Sequence, residues 1–502
     1  MKSFKPVLLI VFGLLLFSCK EQPLTTLIET DAGMVEGVQE DGFMSFKGIP
    51  FAAPPVGDLR WKEPQPVKPW EGVLKADTFG PASPQAQNLR QSEDCLYLNV
   101  WTPAKFASEK LPVMFWIHGG GFTAGAPLEA TYFGEKLTQK GVIYVSVTYR
   151  LGPLGFFAHP ELTAESPNKS SGNYGILDMI AALEWVQRNI ASFGGDPARV
   201  TIFGESAGGA AVSILCASPL CKGLFAGAIC QSGGNFRPLE ESGTLKGAEQ
   251  SGLEFMKNLG ASSLAELRQL DVQKFFEARG SFRPNVDGYI LSGDQYKLYE
   301  AGQYNDVNVI IGSNSDEGGM FLRRQQQMDP GAYKKSLTDR YGDFADRFLS
   351  LYPGDTPEQA TFSSADMTRD SGFGWASWIW GRLQSRTGNS KVYMYYFDQK
   401  DPNNPNSRGA FHAAEIKYVL QNINEERYPA EDIKLSDMMS TYWTNFAKSG
   451  NPNGEDLLEW PAFTEQNQTY MYFKSDPETG PVPNLNNLEL FEEYYKYQRE
   501  SK

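Results

Sequence analysis

Six short apolar runs recur between positions 111 and 401, and each is closed by a Gly- or Asp-rich turn: "LPVMFWIHGGGF", "GVIYVSVTYRLG", "VTIFGESAGG", "FAGAICQSGG", "VNVIIGSNSDEGG" and "KVYMYYFDQKD". They are β-type and apolar at consecutive positions, so both faces of each strand must be covered. Helical patterns such as "ILDMIAALEWVQRNIASF" lie between several of them. Strands of this kind alternating with helices predict an α/β fold with a mostly parallel sheet between helical layers. Upstream, "TLIETDAGMVEGVQEDGFMSFKGIPFA" shows alternating runs broken by Gly and Asp, which predicts a small N-terminal antiparallel β region. The stretches Leu239–Phe282 and Met328–Arg386 read as helical insertions between core strands, placed to wall a pocket above the sheet. No Ser/Pro-rich linker, repeat or low-complexity block interrupts residues 27–502, so that span is expected to be one domain.

The first residues stand apart. "MKSFKPVLLIVFGLLLFSC" has a positive start at Lys2 and Lys5, and then an apolar stretch from Val7 to Phe17. That is the pattern of an export signal and is short for a membrane span. It ends in "LFSC", which resembles a bacterial lipoprotein box despite the less usual Phe17. Residues 1–19 are therefore read as a signal peptide with a lipoprotein-like cleavage site before Cys19, which would carry the lipid. Residues 20–26 would be a short linker, and the protein an exported lipoprotein at the cell envelope. Plain cleavage and secretion is the simpler alternative. The remaining cysteines, Cys95, Cys216, Cys221 and Cys230, are expected to be free packed thiols, although Cys216 and Cys221 could close a small loop.

A formal net charge of −14 argues against nucleic acid as a partner, because phosphate binding needs a basic stripe. It also disfavours adsorption to anionic lipid, leaving the N-terminal anchor as the expected membrane contact.

The chemistry centres on "GESAG". Gly204 and Gly208 flank Ser206 between a β run and a helical run, the setting of a nucleophile elbow that presents the serine at the carboxyl end of a strand. The string alone is weak evidence, since Gly and Ser are common in turns. "FWIHGGGF" upstream adds to it, because an HGGG-type loop can crowd backbone N–H groups around one oxygen. A serine nucleophile needs a base, and the chain has only three histidines. His118 stands in the glycine loop with a structural role, and His159 precedes the serine. The order Ser…acid…His leaves His412 in "RGAFHAAEI". For the acid, Asp316 and Glu317 in "SNSDEGG" qualify equally on position, with Asp398 a weaker choice. No metal-ligand cluster stands out, and no cofactor is expected. The aromatic segment "GFGWASWIW" places Trp375 and Trp378 on one helical face and Trp380 off it. Core packing is the favoured reading, with an acyl-pocket wall as the alternative.

These motifs and others together resemble the type-B carboxylesterases, the group that includes cholinesterases and the non-catalytic neuroligins. The resemblance runs through "FKGIPFAAPPVGDLRWKEPQPVKPWEG", "SEDCLYLNVWTP", "VSVTYRLGPLGFF", "GNYGILDMIAALEWVQRNIASFGGDPARVTIFGESAGG", "GLFAGAICQSG" and "RPNVDG", which cover nearly the whole chain after the signal. It implies an α/β-hydrolase fold, Ser206 as nucleophile, Glu317 as acid and His412 as base. It also implies oxyanion-hole amides from Gly120, Gly121 and Ala207, with Ser232 supporting the acid. A cysteine that the family often carries upstream of Cys95 is replaced by Ser83, which implies that Cys95 is unpaired. The short "QAQNLRQ" lacks the tryptophan that cholinesterases set against a quaternary ammonium, so choline esters are not the expected substrates. The expected substrate is a small ester with a short or medium acyl group and a neutral, aryl or bulky alcohol. A lipase, an esterase acting on polysaccharide-linked esters and a neuroligin-like binding protein are the competing readings.

Overall fold

The structure, a computed structural model, describes residues 23–322, 327–404 and 407–501. Cys19 and the signal lie outside the described residues.

All six apolar runs are strands of one eleven-stranded sheet. Across it in space the strands are Glu478–Gly480, Tyr470–Phe473, Val392–Phe397, Asn308–Asn314, Gly227–Gln231, Gly195–Glu205, Leu111–Ile117, Ile143–Val147, Tyr97–Thr102, Met44–Pro50 and Val38–Gln39. The seven from Tyr470–Phe473 to Ile143–Val147 pair in parallel. Antiparallel strands close both edges.

Alternation along each buried strand sends successive side chains to opposite faces. Val113, Phe115, Ile117, Val145, Ile202, Cys230, Ile311 and Met394 face one core, which is filled by Met179 and Leu183 of helix Tyr174–Asn189 and by Val212 of helix Ala207–Ala217. Met114, Trp116, Tyr144, Phe203, Ile229, Ile310 and Tyr395 face the other, covered by Leu435, Met439, Tyr442 and Trp443 of helix Ala430–Ser449. The apolar runs follow from this geometry: each strand feeds two dry cores.

The N-terminal region departs in detail from a separate antiparallel unit. Leu27–Thr30 and Gly33–Glu36 do pair antiparallel, but Val73–Lys75 adds to them in parallel, and Met44–Pro50 joins the main sheet. The two insertions are helical, with Leu245–Asn258 and Leu264–Gln269 in the first and Pro330–Tyr341, Pro357–Arg369 and Trp375–Thr387 in the second. Cys95, Cys216, Cys221 and Cys230 are free and buried.

Candidate active site

Register brings the carboxyl ends of five neighbouring strands together: Ile117 lies beside Gly204, Glu205 beside Gln231, Gln231 beside Gly312 and Asn314 beside Phe397. Ser206 leaves the end of Gly195–Glu205 with φ 55° and ψ −117°, then the chain enters helix Ala207–Ala217. A non-glycine residue there is strained, and surrounding contacts must hold it. They include the Ser206 N–H donating to the Gln231 carbonyl at 2.9 Å. Only glycine can follow two residues later, since a Cβ on Gly208 would sit 2.0 Å from the Ile117 carbonyl oxygen.

His412 Nε2 lies 2.8 Å from Ser206 Oγ, and its Nδ1 lies 2.5 Å from Glu317 Oε2. The second carboxylate oxygen of Glu317 accepts from Ser232 Oγ at 2.5 Å and from the Asn314 N–H at 2.7 Å. Glu317 is fully buried and His412 is 8% exposed. A neutral imidazole that donates from Nδ1 to Glu317 presents the lone pair of Nε2 to the serine proton.

Geometry separates the two acids that position alone could not. Asp316 turns toward Arg408 at 3.8 Å, and its backbone N–H donates to the Ala410 carbonyl. Asp398 follows the Val392–Phe397 strand, and its backbone N–H donates to the Phe473 carbonyl at 2.8 Å. His118 is buried with Nδ1 2.9 Å from the Gly119 carbonyl and its ring stacked on Tyr149; burial pushes it down to about 4. His159 caps helix Pro160–Glu165 by accepting from the Glu161 N–H, and burial lowers it too. Neither reaches Ser206.

The glycine loop runs against the serine, since a Cβ on Gly119 would lie 3.1 Å from Ser206 Cβ. Gly120 has φ 104° and Gly121 φ 63°. Gly119 at the head of this loop and Ala207, the first residue of the elbow helix, thus both adjoin the serine.

Three features escape a reading of the sequence. Glu205, the residue before Ser206, is buried with Oε1 3.2 Å from His412 Nε2, an ion-pair distance without hydrogen-bond geometry. Burial pushes its carboxyl well above the usual range, against the pull of His412. Burial alone would lower His412, but the Glu317 and Glu205 carboxylates outweigh it and lift the imidazole to about 10. Glu415, three residues after the histidine, accepts from Gln231 Nε2 and Asn314 Nδ2, tying two neighbouring strand ends to the turn that carries the histidine. Phe373 packs its ring 4.9 Å from the His412 ring. It belongs to the aromatic segment, but to a π turn, Asp370–Gly374, that helical spacing does not reveal. Trp375, Trp378 and Trp380 are all buried, with indole N–H groups donating to Glu492, Gln468 and Gln384, in line with the core reading.

The chain is similar to known proteins over most of its length. The model of the carboxylesterase family matches residues 24–491. A fumonisin B1 esterase of Sphingopyxis macrogoltabida is 38% identical over 476 residues, covering 90% of this chain and 87% of that protein. The para-nitrobenzyl esterase of Bacillus subtilis (strain 168) is 36% identical over 485 residues, covering 90% and 95%. A solved para-nitrobenzyl esterase structure superimposes with a TM-score of 0.83 at 35% identity, covering 93% of this chain and 99% of its own. The α/β-hydrolase fold follows, and the chain belongs to the carboxylesterase family as a carboxylic ester hydrolase.

Proposed function

We propose that the protein is a serine carboxylesterase working through a covalent acyl-enzyme. The observation that carries this is the hydrogen-bonded line from Ser206 Oγ through His412 to Glu317, at 2.8 and 2.5 Å. Ser206 Oγ attacks the ester carbonyl carbon while His412 Nε2 takes its proton. The tetrahedral intermediate collapses, the bond to the alcohol oxygen breaks, and His412 returns the proton to the leaving alcohol. Water, deprotonated by His412, then attacks the acyl carbon, and its proton passes to Ser206 as the acid leaves. Glu317 orients the imidazole and stabilises its cation; Ser232 and the Asn314 amide hold Glu317. The amides of Gly120, Gly121 and Ala207 are assigned to the oxyanion, where one donor contributes about 2.7–4 kcal/mol.

Ser206→Ala should lower nitrophenyl butyrate turnover by about 10⁶ with the fold intact. A fluorescent phosphonate should label Ser206. Near-normal turnover in the folded variant, or a label on another residue, would overturn the assignment.

Short and medium acyl esters of neutral alcohols are the substrates we assign. The relatives named for nitrobenzyl and fumonisin esters support a bulky or aryl alcohol. The absence of a tryptophan in "QAQNLRQ" removes a cation–π partner worth about 0.5–2 kcal/mol to a quaternary ammonium. Preference for nitrophenyl palmitate or butyrylthiocholine over nitrophenyl butyrate would reverse this substrate reading and leave the nucleophile untouched. We also assign Cys19 as the lipidated first residue of an exported mature chain, with residues 27–502 as one domain. Cys19→Ala should move the protein from the detergent phase to the aqueous phase.

A further inference from the structure

Leu24 and Ser206 lie at opposite ends of the parallel sheet. Pro23 bridges Phe106, and the Leu24 N–H donates to the Lys105 carbonyl at 2.7 Å. Lys105 and Phe106 belong to the connection from Thr102 to Leu111. Strand Tyr97–Thr102 runs antiparallel to Ile143–Val147, with Trp101 opposite Tyr144, so it ends at the amino ends of the parallel strands. Leu111 pairs with Gly195, the first residue of the strand whose last residue is Glu205. The chain therefore enters at the base of the sheet, whereas Ser206, His412 and Glu317 crown its carboxyl end. The Leu111–Ile117 strand alone separates the two levels by about 20 Å.

Three residues separate Cys19 from Pro23, a span of at most about 14 Å even when fully extended. Among the described residues no helix is long and apolar enough to cross a membrane; with Cys19 assigned as the lipid carrier, the attachment is at the N-terminus. Turning the carboxyl end of the sheet onto the bilayer would raise the base by more than the tether allows.

We propose that the anchored enzyme holds its reactive serine away from the membrane and takes esters from the aqueous phase, not from the bilayer that carries it. The proposal rests on the assignments of Ser206 as nucleophile and Cys19 as lipid carrier. Its test uses the full lipidated protein, purified from membranes and placed in phosphatidylcholine/phosphatidylglycerol vesicles that contain an acceptor-dye lipid. One donor is a fluorescent phosphonate on Ser206. The other is a dye on Ser108→Cys, an exposed position beside the entry point. Energy transfer to the bilayer should be strong from position 108 and severalfold weaker from Ser206. Anchoring should leave kcat/KM for nitrophenyl butyrate unchanged, and should not speed cleavage of a vesicle-embedded ester relative to soluble Cys19→Ala. Equal or stronger transfer from Ser206, or several-fold faster cleavage of the embedded ester by the anchored form, overturns the orientation. Two other failures are distinguishable: phosphonate on a residue other than Ser206 removes the nucleophile assignment, and an unlipidated Cys19 by mass removes the anchor. Either one also ends the proposal.

Discussion

Glu317 Oε2 stands 2.5 Å from His412 Nδ1, while its neighbour in the chain, Asp316, turns to Arg408. Two adjacent carboxylates thus have different fates because one backbone step reverses the side-chain direction. Glu317→Gln should cut kcat by about 10⁴, as for the corresponding change in other serine triads, because the amide no longer fixes the tautomer or balances the imidazolium. Asp316→Asn should leave turnover little changed. Steady-state kinetics of both folded variants decide the acid, and a worse Asp316 variant would reverse the assignment.

The pH profile reports the charges around His412. Only the unprotonated imidazole accepts the serine proton, so kcat/KM should fall as pH drops. Glu317 and Glu205 raise the imidazole, so this limb should lie above the ordinary 6.5 of histidine. Glu205→Gln removes one raising charge and should move the limb to lower pH. A limb unmoved by that change would show that Glu205 carries no charge felt by the base in the free enzyme.

The glycine loop offers a contrast within one motif. A Cβ on Gly120 would lie 2.1 Å from the Ala124 carbonyl oxygen, whereas on Gly121 its nearest neighbour is Thr123 Oγ1 at 3.9 Å. Gly121→Ala meets only the cost of its left-handed backbone, about 1–2 kcal/mol. Gly120→Ala must also displace the backbone of the loop. Its kcat should fall much further than that of Gly121→Ala, with KM less affected, and stopped-flow acylation rates would show this directly.

Arg150 and Asp178 form a fully buried, two-pronged ion pair, with Nη2–Oδ1 at 2.7 Å and Nε–Oδ2 at 2.9 Å. It pins the segment after strand Ile143–Val147 to helix Tyr174–Asn189. Asp178→Asn leaves the guanidinium buried against a neutral partner and should cost about 3–5 kcal/mol. Urea unfolding followed by tryptophan fluorescence would measure it, and a change below about 1 kcal/mol, ordinary for an exposed pair, would contradict the burial argument.

Much of this protein was legible from local chemistry. Consecutive apolar β runs such as "VYMYYF" need cover on both faces, which specifies a sandwiched parallel sheet whatever the exact partners. Ser206 was legible because a strained turn leaves a local mark: Gly204 and Gly208 stand where no Cβ fits. His412 followed from the scarcity of histidine and from chain order. What position could not decide was the choice between Asp316 and Glu317, which the family resemblance alone had favoured, because side-chain direction at a strand end depends on the following turn. Glu205 and Phe373 were invisible as neighbours of His412, since they meet it only across strand ends and through a π turn that breaks helical spacing. Sequence by itself determined the kinds of groups and the strands that carry them. Tertiary structure alone decided which of those groups touch, because contacts between distant segments arise from sheet register and packing, which no local pattern encodes.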